Sequence, residues 1–269
     1  MNFSVIMEKS VENNLVNSLT AENSGLTPFI PYLLQDLWEL GPSSNEVIFL
    51  LDKNISNFKN FKVLDLACGK GAVSIPLAKK LKVHVTMVDI FPEFIQDALE
   101  KADEYNVKDF CTFKVEDINN TVKDENGKNW DCVLFCSVGD ILGNKKETTA
   151  KLKNIISHDG YIILHNAYLS DSSSEDIKYK EHDYITYDEW LKIFDEEEIE
   201  IVDSFIPNEE KNREKNELII ECISNRVIEL SKRHPEIKEL FESYLQSQIN
   251  GCYDMDVNLV CPIWLLKRK

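Results

Sequence analysis

The sequence predicts an α/β fold: a mostly parallel sheet with helices on both faces. Three observations predict it. Val63, Leu64 and Leu66 form a short apolar run that ends in a glycine turn, Gly69-Lys70-Gly71, and a helical pattern follows at once. Apolar runs then alternate with helical patterns for more than a hundred residues, which calls for parallel strands and right-handed crossovers. Asp89 closes the second apolar run, twenty positions after Gly69, where a nucleotide-binding sheet carries its second set of ligand contacts.

The elements follow in order. Residues 11–19 have a weak amphipathic pattern within an Asn- and Glu-rich arm. Thr27-Pro28 introduces a helix over residues 29–40, with Ile30, Leu33, Leu34, Leu37 and Leu40 at helical spacing, and Gly41-Pro42 ends it. Ser43 and Glu46 have the spacing of a capping box for a second helix carrying Val47, Ile48, Leu50 and Leu51. Strands are expected at 62–66, 84–89, 109–115, 130–136, 161–168 and 200–205, with helices at 71–81, 92–105, 145–156 and 187–197. Pro92 suits a first helical turn, and Gly160 suits a helix end. Beyond Pro207 two helical patterns are separated by His234-Pro235, and Gly251 is expected to stop the second. A last strand is drawn from residues 257–261 and 263–266, with Pro262 awkward inside it, so that it breaks there or begins after it. The expected division is a helical extension (1–57), a Rossmann-like core (58–206), a helical insertion (207–252) and a final core strand (253–269). A parallel strand delivers the chain to the carboxyl edge of the sheet. Residues 208–251 and the polar loop 170–183 are therefore expected, with the N-terminal helices, to form a lid over one pocket.

Composition narrows the function. The 269 residues carry a net charge of −17, and the lysines are scattered among more numerous acids. Nucleic acid and anionic membranes bind through clustered Lys and Arg, so neither is expected as a partner. No apolar run approaches the ~20 residues that span a bilayer, and the first fifteen residues lack a signal-peptide core. Seven cysteines, none in a paired metal-ligating spacing, fit reduced thiols in a cytoplasm, and no metal is expected.

The glycine turn departs from the dinucleotide fingerprint, because Ser74 stands where the third glycine belongs. No phosphate-binding G-x-x-x-x-G-K-[ST] is present either. Asp65-Leu66-Ala67-Cys68-Gly69-Lys70-Gly71 instead resembles the first motif of class I S-adenosylmethionine-dependent methyltransferases, with Ala67 in place of that family's first glycine. The resemblance covers roughly residues 61–168. It implies S-adenosyl-L-methionine as donor, S-adenosyl-L-homocysteine as product, and a last antiparallel strand inserted beside the sixth. The flanks are similar, in a general way, to bacterial enzymes acting on small molecules. They name neither the acceptor nor its atom (N, O or S), and leave the oligomeric state open between monomer and homodimer.

Site residues follow from the strand ends. Asp65, Ala67, Cys68, Gly69 and Gly71 make the turn. Asp89 can accept from both ribose hydroxyls, or it can cap the next helix; Ile90 would flank the adenine. The resemblance assigns Glu116-Asp117-Ile118 to the adenine, with Asp117 accepting from its amino group and Ile118 packing on the ring; a solvated loop acid is the plain alternative. It assigns Cys136 and Ser137 to the methionine end. Asp140, the first ionisable side chain beyond, orients a substrate or caps a turn. His165 and His182 are the candidate bases, although a lone histidine is more often structural. Tyr168, Tyr184 and Trp190 line a pocket or belong to the core. Two other readings stay open: an NAD(P)-dependent oxidoreductase, and a non-catalytic S-adenosylmethionine-binding protein.

Overall fold

The computed structural model describes residues 19, 23–171, 176–180 and 182–269. The amphipathic stretch 11–18 and Ser172-Ser173-Ser174 lie outside them. Nine α-helices and nine strands are found among the described residues. In order they are α1 (Ile30–Leu33), α2 (Ser44–Asn54), β1 (Lys62–Leu66), α3 (Ser74–Leu81), β2 (His84–Asp89), α4 (Pro92–Glu104), β3 (Cys111–Val115), α5 (Ile118–Glu125) and β4 (Trp130–Cys136). There follow α6 (Lys145–Ile155), β5 (Ile156–His165), β6 (Tyr168–Leu169), α7 (Tyr187–Glu196), β7 (Ile199–Phe205), α8 (Glu209–Arg233), α9 (Lys238–Val257), β8 (Leu259–Val260) and β9 (Ile263–Arg268).

Seven strands form one sheet in the order β3-β2-β1-β4-β5-β9-β7. All neighbours are parallel except β9, which runs antiparallel between β5 and β7. The expected α/β fold is borne out, including the inserted last strand. Residues alternate between the two faces, as the strand period requires. Leu64, Leu66, Val133, Phe135, Ile162 and Leu164 share one core with α5 to α9. Val63, Cys132, Leu134 and Ile163 share the other with α2, α3 and α4. Both faces are covered, which is why β1 and β4 read as nearly continuous apolar runs.

Several elements differ from the sequence reading. The expected helix over 29–40 is a 3-10 turn (Ser24–Phe29) and the four-residue α1, followed by irregular backbone. Its end is taken by another part of the chain: the buried Lys70 Nζ donates to the carbonyls of Leu34 and Gln35, at 3.0 Å each. Ser43 occupies the N-cap of α2 but makes no side-chain cap bond. α3 begins at Ser74, because residues 67–73 are consumed by the turn. Residues 108–110 form a 3-10 turn rather than the start of β3. α5 was not expected; Asp117 caps it, accepting from the Asn119 N–H at 2.8 Å. Gly160 lies inside β5 rather than at a helix end, and a Cβ there would come within 2.7 Å of the Trp130 carbonyl.

The C-terminal third shows the largest differences. His234-Pro235 does break the helices. Gly251, however, does not stop α9, which runs through it to Val257. The helix is held further on by Asp254. This fully buried carboxylate accepts from the Lys178 and Tyr179 N–H groups and from the Asn258 side chain. Residues 259–260 leave the main sheet and pair with β6, and β9 begins after Pro262, so no inner strand loses an N–H to proline.

Gly71 is where the turn tolerates no side chain. Its φ is +73°, and a Cβ would meet Ile75 Cδ1 at 2.7 Å and Met87 Sδ at 3.2 Å. Gly71→Ala combines left-handed strain with overpacking and should cost about 2–4 kcal/mol. Thermal unfolding measures it; an unchanged midpoint would contradict this packing.

Candidate functional site

The carboxyl ends of β1, β2 and β4 open into a cavity of about 340 Å³, within the ordinary range for small-molecule sites. Its floor is the glycine turn. Ala67, Gly69 and Gly71 all have positive φ, at 57°, 54° and 73°. Ala67 thus stands in the conformation glycine prefers, a strain of roughly 1 kcal/mol for an L-residue. The turn is closed by the Gly71 N–H donating to the Cys68 carbonyl at 3.0 Å, and the Cys68 N–H donating to the Val88 carbonyl at 2.9 Å.

Asp89 fixes the turn from the side. Its Oδ2 accepts from the Gly69 N–H at 2.8 Å and its Oδ1 from the Phe91 N–H at 3.0 Å. Each oxygen retains a lone pair. Asp65 lies beneath, accepting from the Ser74 hydroxyl at 2.6 Å. Both carboxylates are buried. Burial pushes Asp65 up to about 7, opposed by the Ser74 hydroxyl and reinforced by Asp89. It pushes Asp89 up to about 6, opposed by the N–H groups of Phe91, Gly69 and Ile90. Burial also pushes the Cys68 and Cys136 thiols up, so both stay protonated.

Most of the sequence-derived residues converge here. Asp65, Ala67, Cys68, Gly69, Asp89, Ile90, Asp117, Ile118, Cys136, Ser137, His165 and His182 all border the cavity. Gly71, Glu116 and Asp140 do not. Gly71 packs on Ile75. Glu116 accepts from the Thr121 hydroxyl at 2.5 Å at the start of α5. Asp140 accepts from Lys145 Nζ at 2.5 Å, and Lys145 takes the place on the wall. Asp117 combines its cavity position with the N-cap of α5.

Ser137, at the end of β4, has a φ of 60°. Its hydroxyl lies 2.7 Å from His165 Nδ1. His165 is pushed down to about 4, chiefly by burial and further by the Lys215 charge, so its ring is neutral at ordinary pH. His182 is lowered as well, again first by burial. Trp190 and Tyr168 belong elsewhere. Trp190 is buried against Trp264, donating to the Ala167 carbonyl, and Tyr168 stacks on Trp264.

The remaining walls were less legible. Leu34, Leu37, Trp38 and Leu40 come from the N-terminal segment, Ile219 and Ile223 from α8, Tyr244, Gln248 and Cys252 from α9, and Tyr179 and Tyr184 from the loop after β6. Tyr244 sits on an apolar helical stripe with no mark to separate a cavity wall from a core position. The sequence assigned no role to Lys70, since the phosphate-loop pattern that would use it is absent. Lys70 pins the N-terminal segment to the glycine turn, aided by Asp97 at 3.2 Å and by the Trp38 indole N–H donating to the Lys70 carbonyl.

A family profile described as a methyltransferase domain matches residues 57–216, more than half of the chain. The chain belongs to this family, in the class I fold of S-adenosylmethionine-dependent methyltransferases. No curated protein matches the sequence. Among solved structures, it is similar to S-adenosylmethionine-dependent methyltransferases from Geobacter sulfurreducens and Thiobacillus denitrificans, each in complex with S-adenosyl-L-homocysteine. Identities are 17% and 16%, and both comparisons have a TM-score of 0.73 over 90% of this chain and 98% of the other. Coclaurine N-methyltransferase bound to N-methylheliamine and S-adenosylhomocysteine is also similar. There the identity is 16% and the TM-score 0.60, over 83% of this chain and 72% of the other. At such identities the likeness speaks for the fold.

The raised carboxylates have a consequence with a definite sign. A carboxyl whose pKa rises on folding, from 3.8 to about 7 for Asp65, favours the folded state when protonated. Its contribution is complete below pH ~4 and is lost as pH rises through 7. Asp65→Asn keeps an acceptor for Ser74 without the charge. Urea unfolding of the ligand-free proteins should show the variant gaining on the parent between pH 4 and 7.5, by roughly 3–4 kcal/mol. A constant gap would contradict the assignment.

Proposed function

We propose that the protein transfers a methyl group from S-adenosylmethionine to a small-molecule acceptor, with both held in the one cavity. The observation that carries this reading is the glycine turn locked by Asp89, a carboxylate that borders the cavity. The donor set fits the cofactor. Asp89 accepts from the ribose hydroxyls, Ile90 and Ile118 pack against the adenine, and Asp117 accepts from its amino group. Gly69 and Ala67 let the backbone approach, and Cys136 and Ser137 border the methionine end. S-adenosylmethionine, when bound, supplies an electrophilic methyl group on a positively charged sulfur.

The chain's own contribution is mainly positioning. The N-terminal segment after α1, helices α8 and α9 and the described residues of the loop after β6 act as a lid that keeps water from the acceptor. His165 holds Ser137 at the end of β4. His182, kept neutral by burial, takes a proton from an acceptor that must lose one. The small-molecule reading is supported by the mostly apolar cavity and by N-methylheliamine in a solved relative. The net charge of −17 argues against a nucleic-acid acceptor. Among the described residues no helix is long and apolar enough to cross a membrane.

Asp89→Ala should weaken S-adenosylmethionine binding by about 1.5–3 kcal/mol, roughly tenfold to hundredfold. Calorimetry reads this directly, with circular dichroism confirming the fold; an unchanged dissociation constant would confine Asp89 to holding the turn. His182→Gln should lower kcat on order of a hundredfold, once an acceptor is in hand, while cofactor affinity stays level. An unchanged kcat would remove the base.

A further inference from the structure

The cavity has a second end, away from the glycine turn. It is bounded by Tyr179, His182, Tyr184, Tyr244, Cys252 and Met255. The rings of Tyr179 and His182 meet edge to face, with centroids 5.1 Å apart at 65°. Those of His182 and Tyr184 do the same at 5.7 Å and 71°. Together the three rings make a continuous aromatic shelf, and Tyr244, almost fully buried, backs the same end.

Charge is missing from this end in a specific way. Among the described residues, no Arg or Glu borders the cavity, and its three aspartates belong to the donor end. Lys70 is spent on the Leu34 and Gln35 carbonyls. The one cation left is Lys145, and Asp140, just off the wall, already neutralises it. Both members of that pair act on His182, in opposite directions. Burial raises the phenols of Tyr184 and Tyr244 and lowers the His182 imidazole, so these groups are uncharged at neutral pH.

An acceptor carrying a carboxylate or an ammonium would have to give up its hydration here without gaining a counter-ion. A flat neutral ring loses little and gains the shelf, in the offset or edge-on contacts that aromatic groups favour. We infer that the acceptor is an uncharged aromatic compound, and that the Lys145–Asp140 pair enforces this choice by withholding its cation. The inference rests on the methyltransferase reading of the same cavity. Selectivity then comes chiefly from rejection, since a site that leaves a charge unpaired discriminates more strongly than one that merely fits a ring.

The test uses the full chain saturated with S-adenosylhomocysteine and three probes of one ring system: 2-naphthol, 2-naphthoate and 2-naphthylmethylamine, titrated calorimetrically at pH 7.5. 2-Naphthol should bind at least about tenfold more tightly than either charged probe. Asp140→Asn frees Lys145 and should raise naphthoate affinity about fivefold or more, with naphthol within about twofold. Lys145→Met, run alongside, should leave naphthoate weak. Equal or tighter binding of a charged probe, binding of none of the three, or a naphthoate gain in both variants or in neither would overturn the inference. Failure of S-adenosylhomocysteine itself to bind is a separate result: it would remove the methyltransferase reading, and the inference with it.

Discussion

One buried carboxylate organises the donor end of this molecule. Asp89 stands at the last residue of β2 and receives the N–H groups of Gly69 and Phe91 on its two oxygens. The first bond ties the β1 turn to the neighbouring strand; the second turns the chain into α4. Removing the carboxyl from water costs stability unless such donors compensate, and its raised pKa shows that compensation is incomplete. On the proposed reading, the residual demand for donors is what a ribose diol would satisfy.

The covering elements are tied down by the same economy of buried polar groups. Lys70 sits in the glycine turn yet spends its ammonium on the carbonyls that end α1, so the N-terminal segment is fastened to the turn itself. Arg226 of α8 bonds Asp36 and Glu229, and Glu229 accepts from the Tyr32 hydroxyl, which fastens α8 to that segment. Asp254 of α9 holds the 178–179 backbone. Each tie joins parts of the chain far apart in sequence.

This explains which parts of the molecule could be read beforehand. Buried strands announce themselves by apolar runs, and β1, β2 and β4 were legible to the residue. Local capping was legible only in part. α5 has just two apolar residues on its buried face, Ile118 and Val122, and its Asn-rich first turn hides it. Gly251 signals a helix stop, but Asp254 and Asn258 carry α9 past it with tertiary bonds that no local pattern records. Likewise the helix expected at 29–40 is cut short by Lys70, more than thirty residues away. At the site, strand-end residues were found because topology brings them to one edge. Tyr179 and Tyr244 were not, since their positions depend on how α9 and the loop after β6 fold back, and Lys145, at the head of α6, carries no local mark of a cavity wall.

The central claim is that this turn and Asp89 hold an adenosyl sulfonium cofactor rather than a dinucleotide. Parallel calorimetric titrations of the purified protein with S-adenosylhomocysteine and with NAD test it most directly. The structure predicts micromolar binding of S-adenosylhomocysteine and none of NAD. Binding of NAD, or of neither, would contradict it.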